Sequence, residues 1–172
     1  MSAKHHEKRD HRPTSVPDSS SSVQSVADRY VPRADAPAAI IVDIDGTVAL
    51  ATRRNVFDEA RVELDEPNPA VIATVRALQA AGHAVVFCSG RTDGCRQTTL
   101  CWLQDHVGVP VAALHMRKQG DSRKDSIVKR EIFDAHIRDQ WRVLCVLDDR
   151  NQVVRMWRDL GLTVLQVADG DF

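Results

Sequence analysis

Five short apolar runs punctuate the chain, and between them apolar residues recur at intervals of three or four. Ile40, Ile41 and Val42 form the first run, AVVFCSGR from Ala84 opens the second, Pro110 to Met116 gives the third, Val143 to Leu147 the fourth and LTVLQVA from Leu162 the fifth. Short runs rich in β-branched residues and lacking polar alternation suit strands buried on both faces of a parallel sheet. The intervening segments read as helices. Val71, Ile72, Val75 and Leu78 share one face, with Asn68 as N-cap, Pro69 at the first helical position and Gly82 closing the element. Leu100, Cys101 and Leu103 offer a stripe between Cys95 and about His106; Ile127, Val128, Ile132 and Ala135 mark a helix over Ser126 to His136; Val153, Val154, Trp157 and Leu160 mark one that stops at Gly161. Strands alternating with helices predict an α/β fold, a parallel sheet between two helical layers.

Two stretches fall outside this alternation. Residues 1–36 mix charges of both signs, as in KHHEKRDHR, and continue into the serine-rich SVPDSSSSVQS. Such composition cannot offset the entropy of ordering, so a disordered N-terminal tail is expected before a domain over 37–172. Val48 to Pro67 is a polar connection long enough for a flap and too short for a separate cap domain.

Composition narrows the class. A chain of 172 residues with 43% hydrophobic content has room for one domain with a sizeable core. Its net charge of -1 announces no global basic field, so contact with a polyanion would need a local cluster of arginine and lysine. No apolar run is long enough to span a membrane, and Cys88, Cys95, Cys101 and Cys145 form no C-x-x-C pair. A reduced, cytoplasmic setting is expected, with the strand cysteines acting as small core residues.

The chemistry sits where apolar runs end. Asp43 and Asp45 follow the first run, Ser89, Gly90 and Arg91 the second, Asp148 and Asp149 the fourth. Residues two apart on a strand point the same way, and open parallel sheets bind ligands beyond the carboxyl ends of their strands. Four carboxylates gathered there need cations. Mg2+, which favours oxygen ligands, is the expected ion, held by Asp43 and Asp148 with Asp149 and the backbone carbonyl of Asp45. A carboxylate beside such an ion can attack phosphorus, which assigns Asp43 as nucleophile and Asp45 as general acid and base. Ser89, Lys129 and the backbone around Gly46 are placed to receive the phosphoryl oxygens. Trp102 reads as packing at a helix surface rather than as a base-stacking platform.

The order VDIDGT, SGR, a lysine-bearing helix and LDDRN resembles the haloacid dehalogenase-like phosphatase superfamily. That resemblance implies a five-stranded Rossmann-like sheet of order 5-4-1-2-3 and a minimal cap. CSGRTDGCRQTTLCWL, MRKQGDSRKDSIVKREIF and LDDRNQVVRMWRDLGLTVLQVADGDF extend the likeness to the 3′-phosphatase domain of bacteriophage-type polynucleotide kinase/phosphatases. The expected phosphate site is Gly46, Thr47, Arg54, Ser89, Gly90, Arg91, Asp125 and Lys129, of which the resemblance implies Arg54, Ser89, Arg91, Asp125 and Lys129, with Lys124 as a rival lysine; it implies Asp148 and Asp149 as Mg2+ acids, which join Asp43 and Asp45 as expected metal ligands. Arg117 and Arg123 join the arginines that can line the entrance. The implied activity is Mg2+-dependent removal of a 3′-terminal phosphate from DNA or RNA ends, with a kinase or ligase as partner. The sequence holds no G-x-x-x-x-G-K-[ST] loop, so kinase activity is not expected. A phosphatase of nucleotides or other small esters, and a non-catalytic nucleic-acid-binding module on the same fold, are the alternatives.

Overall fold

The computed structural model describes residues 29–55 and 58–171. Five strands form one sheet: β1 (Ala38–Val42), β4 (Ala84–Thr92), β5 (Val111–Arg117), β6 (Arg142–Arg150) and β7 (Val164–Gly170). Their order is β5-β4-β1-β6-β7, and every pairing between them is parallel. This is the expected 5-4-1-2-3 order read from the opposite edge. Two further strands, β2 (Ala49–Leu50) and β3 (Glu66–Pro67), pair antiparallel inside the Val48–Pro67 connection. A 3-10 helix over Glu59–Leu64 precedes β3, so the flap is built and small.

Alternation along β1 creates the layers. Ile40 and Val42 face one side and Ile41 the other. The first side packs against α1 (Pro69–Ala80) and α2 (Arg96–His106), where Val75, Leu103 and Trp102 meet Phe87 and Leu147. The second packs against α3 (Asp125–His136) and α4 (Asn151–Asp159), where Phe133 and Trp157 meet Val86, Cys88 and Val146. The central strands β1 and β4 therefore bury both faces.

Two helices turn a different face inward from the one their apolar residues suggest. In α2, Trp102 is buried and Cys101 is exposed; the larger indole takes the core position, and its Nε1 donates to the Asp65 carbonyl oxygen at 3.0 Å. In α3, Ile127 is 44% exposed and Ala135 faces solvent, whereas Asp125, Val128, Lys129 and Phe133 are buried. Rotating this helix costs apolar burial at Ile127 and delivers two charged residues to the sheet edge.

Of the expected tail, residues 1–28, His5, His6 and His11 among them, lie outside the described residues. Residues 29–36 are described, and Tyr30 belongs to the packed body. Its hydroxyl donates to the Trp141 carbonyl at 2.7 Å and accepts from the Val143 N–H at 2.9 Å, while its ring meets Phe133 edge-on. It joins the end of α3 to the start of β6. Tyr30→Phe leaves the buried Val143 N–H and the partly buried Trp141 carbonyl short of a partner. A loss of roughly 1–2 kcal/mol in urea unfolding is expected, against no change if the hydroxyl contributes nothing.

Candidate active site

The carboxyl ends of β1, β4 and β6 and the first turns of α3 converge on one cleft, with the flap as its remaining wall. Asp43 directly follows β1, and its N–H donates to the Leu147 carbonyl at 2.9 Å, which fixes it beside β6. Lys129 reaches into this space from α3. Its Nζ lies 2.7 Å from Asp43 Oδ1, 3.0 Å from Asp148 Oδ2 and 3.6 Å from Asp125 Oδ2. Asp148 also accepts from Trp157 Nε1 at 3.2 Å and from the Arg150 N–H at 3.2 Å. An ammonium is tolerated in such burial only when it is paired, and here it has several partners.

Negative charge still exceeds positive. Asp43, Asp148 and Asp149 present oxygens within 4.8 Å of one another, and all three are buried. Burial lifts the proton affinity of Asp43 well above the usual carboxylate range; Lys129 opposes this, and Asp148 and Asp149 add to it. Burial and Asp148 likewise push Asp149 up to about 6. Lys129 holds its proton more firmly than a free lysine, because Asp148, Asp43 and Asp125 outweigh the cost of its burial. With three carboxylates ionised against one ammonium, the set carries a formal surplus of two negative charges. An all-oxygen group of that charge fits a hard divalent cation. The carboxylate of Asp45 is outside this group.

Gly46 makes the crowding possible. It has a φ of 75°, and a Cβ there would stand 2.1 Å from Asp149 Oδ2. Gly90 is constrained in the same way, since its Cβ would stand 2.5 Å from Asp125 Oδ1. The Thr47 hydroxyl lies 3.4 Å from Asp43 Oδ2 and 3.5 Å from Asp149 Oδ1. Ser89 is fully buried, and its Oγ accepts from the Arg91 N–H at 3.2 Å.

A second, charge-balanced cluster adjoins the first. Asp45 accepts from Arg91 Nε at 2.9 Å, Arg91 Nη2 at 2.8 Å and Arg54 Nη2 at 2.9 Å. Behind the arginines lies Asp65, which accepts from Arg54 Nε and Nη2, both at 2.7 Å, and from Arg91 Nη2 at 2.5 Å. Arg54 and Arg91, expected to face the phosphate, thus bond two carboxylates. Arg117 also has a local task. It donates to the carbonyls of Gly90, Asp121 and Arg123 and to Asp125 Oδ1, bracing the loop before α3. Arg123 pairs with Asp121 and Glu131 at the surface. Lys124 is exposed at the rim, so among the two candidate lysines it is Lys129 that meets the acids.

Asp65 and Glu59 are missing from the expected site residues. Glu59 accepts from the Thr92 N–H at 2.8 Å and from the Thr92 hydroxyl, tying the flap to the end of β4. Both acids lie in the polar connection, where no apolar periodicity marks an inward side. Arg150, the residue after the last acid pair, lies 3.6 Å from Asp125 Oδ2 and lines the cleft. The cleft holds about 510 Å³ and runs from Asp43 and Asp45 past Arg91 to Ser122, Lys124 and Gln152.

The pH response of the acid group has a defined sign. Asp149 binds its proton more tightly in the native protein, at about 6, than at its ordinary 3.8. Its contribution therefore weakens the fold as pH rises through that interval, and Asp43 acts in the same direction. A divalent cation should reverse this. Magnesium at about a hundredfold above its dissociation constant is expected to raise the melting temperature by roughly 5–10 °C at pH 7.5 and far less at pH 5; equal shifts at both pH values would contradict binding to these acids.

Comparison with known proteins agrees with this geometry. The family described as the polynucleotide kinase PNKP phosphatase domain matches residues 37–172. A provisionally named bifunctional polynucleotide kinase/RNA ligase of Autographa californica nuclear polyhedrosis virus is 42% identical over 143 residues, which is 81% of this chain and 21% of that protein. Among solved structures, a chain of the Pnkp1/Rnl/Hen1 RNA repair complex superposes with a TM-score of 0.79 at 34% identity, covering 87% of this chain and 48% of that one. The D,D-heptose 1.7-bisphosphate phosphatase of B. bronchiseptica, at 17% identity and a TM-score of 0.57, shares the fold over 77% of this chain and 83% of its own. The chain spans about a fifth of the viral relative and about half of the repair-complex chain.

Proposed function

The chain belongs to the family of polynucleotide kinase phosphatase domains and is a phosphomonoester hydrolase, and from this we propose that it removes the 3′-terminal phosphate from DNA or RNA ends, with Mg2+, through an aspartyl-phosphate on Asp43. One observation carries the chemistry: Asp43 sits in an open cleft, bonded to a buried lysine and crowded by two further acids.

In this reading Asp43, Asp148 and Asp149 hold the ion. When bound, Mg2+ supplies positive charge to the equatorial oxygens of the phosphoryl group. Lys129 keeps the Asp43 carboxylate in place through Oδ1 and offsets part of the charge that substrate brings. A carboxylate oxygen of Asp43 attacks phosphorus; the P–O3′ bond breaks, its electron pair passes to O3′, and O3′ takes the proton that Asp45 carries into the step, leaving Asp45 as the carboxylate that Arg54 and Arg91 bond. Asp45 then takes a proton from water, whose oxygen attacks phosphorus as the Asp43 carboxylate departs. Arg54 and Arg91 fix the position of Asp45 throughout. Ser89 and the main chain at Gly46 and Gly90 border the phosphate position.

A polymer end is favoured by the small flap and by a cleft that continues past the acids to Ser122, Lys124 and Gln152. The named relatives are a kinase/RNA ligase and an RNA repair complex. A ligase that consumes the healed 3′-hydroxyl, or a kinase that phosphorylates the opposing 5′ end, is the matching partner for this chain.

Three substrates test the reading: a 3′-phosphorylated oligonucleotide, a mononucleotide and a sugar phosphate. Mg2+-dependent release is expected to be fastest from the oligonucleotide, with added salt raising its KM more than that of the small esters. Asp43→Asn is expected to abolish release from all three. Equal or faster turnover of the small esters would replace the polymer end with a small phosphomonoester, and full activity in Asp43→Asn would remove the covalent route. Absence of release from every ester would leave a binding module.

A further inference from the structure

Asp65 is a carboxylate with a fully buried side chain in the middle of a polar flap segment. A charge in that position is strongly unfavourable unless its partners are fixed. Its partners are two arginines, and both of these also bond Asp45. Arg54 Nη2 and Arg91 Nη2 are each shared between the two carboxylates, with Asp65 on the closed side and Asp45, 21% exposed, on the cleft side. Two guanidiniums face two carboxylates, so the cluster balances its own charge. Asp65 is itself tethered, since Trp102 of α2 donates to its carbonyl oxygen and a 3-10 turn ends at its N–H, which donates to the Val62 carbonyl at 3.3 Å.

We propose that Asp65 is the positioning residue for Asp45: it anchors the inner edges of the Arg54 and Arg91 forks, and their outer edges hold the Asp45 carboxyl where the leaving 3′-oxygen receives its proton. The inference rests on the reading of Asp45 as proton donor. A planar guanidinium bonded at one edge only can pivot about that edge, whereas bonding at two edges fixes its plane. Without Asp65, each arginine keeps its bonds to Asp45 and its Nη1 contacts, Arg54 to the carbonyls of Asn55 and Asp58 and Arg91 to the Thr99 hydroxyl, but loses the buried carboxylate that holds it from the closed side. Small displacements of a reacting group cost rate steeply. Substrate binding, which runs through other groups, is left nearly unchanged.

The test compares two oligonucleotides, one ending in a 3′-phosphate and one with sulfur at the bridging 3′ position, whose thiolate leaves without needing a proton. The rate of 3′-end release is measured in the first turnover, before phosphoenzyme hydrolysis. Asp65→Asn is expected to slow release from the oxygen ester by about 10²-fold, with KM within a few-fold of wild type, and to leave the sulfur ester nearly unaffected. Equal losses on both esters, or none on the oxygen ester, overturn the proposal. Asp45→Asn is the reference: if it too slows both esters equally, the assignment of Asp45 as proton donor fails, and the role of Asp65 falls with it. Should Asp65→Asn not fold, Trp102→Phe, which releases the Asp65 main chain, decides by the same criterion.

Discussion

The burial of Lys129 among carboxylates is the constraint on which the site depends. Four acids near one sheet edge repel one another; one ammonium lies 2.7 to 3.6 Å from three of them and joins them, while Arg117 and Arg150 also face Asp125. Placing that ammonium requires α3 to turn two charged residues toward the sheet, which leaves Ile127 in solvent. Phe133 and Val128 on the same face retain enough apolar contact to seat the helix, and Tyr30 braces its far end against β6. The electrostatic demand of the site thus sets the rotation of a whole helix.

Two clusters with different charge balance meet at the end of β1. Around Asp43 burial, and after it the acids that outnumber the cation, raise proton affinity, and the surplus charge creates a place for a divalent ion. Around Asp45 two arginines match two carboxylates. The two acids are only two residues apart, yet the chain builds a different environment on each side, and the proposed division between a metal-binding nucleophile and a proton-handling group rests on that difference. Glycine at positions 46 and 90 admits acids from β6 and α3 closer than any side chain would allow.

Most of the fold was legible because each buried strand appears as an apolar run and three of the runs end in the groups that form the site. Asp43, Asp45, Ser89, Asp148 and Asp149 could be placed together by strand polarity alone. Lys129 was less accessible to such reasoning, since a polar residue on the buried face of α3 contradicts the apolar stripe that marks a helix. Asp65 was not legible at all. It lies in an irregular segment, and its burial depends on the forks of Arg54 and Arg91, which are brought to it by tertiary structure. The exchange of Cys101 for Trp102 has a related cause: the stripe was drawn through Leu100, Cys101 and Leu103, and the larger indole next to Cys101 took the core position instead.

The central claim is that this charge arrangement makes Asp43 a nucleophile. Acid quenching of a single turnover with an oligonucleotide carrying a radiolabelled 3′-phosphate tests it most directly. The account predicts label bound to the peptide containing Asp43; with a bridging-sulfur ester, whose thiolate leaves without a proton, the label accumulates further in Asp45→Asn, where water is no longer activated to release it. Labelled inorganic phosphate formed at full rate, with no protein-bound label in either protein, would contradict it.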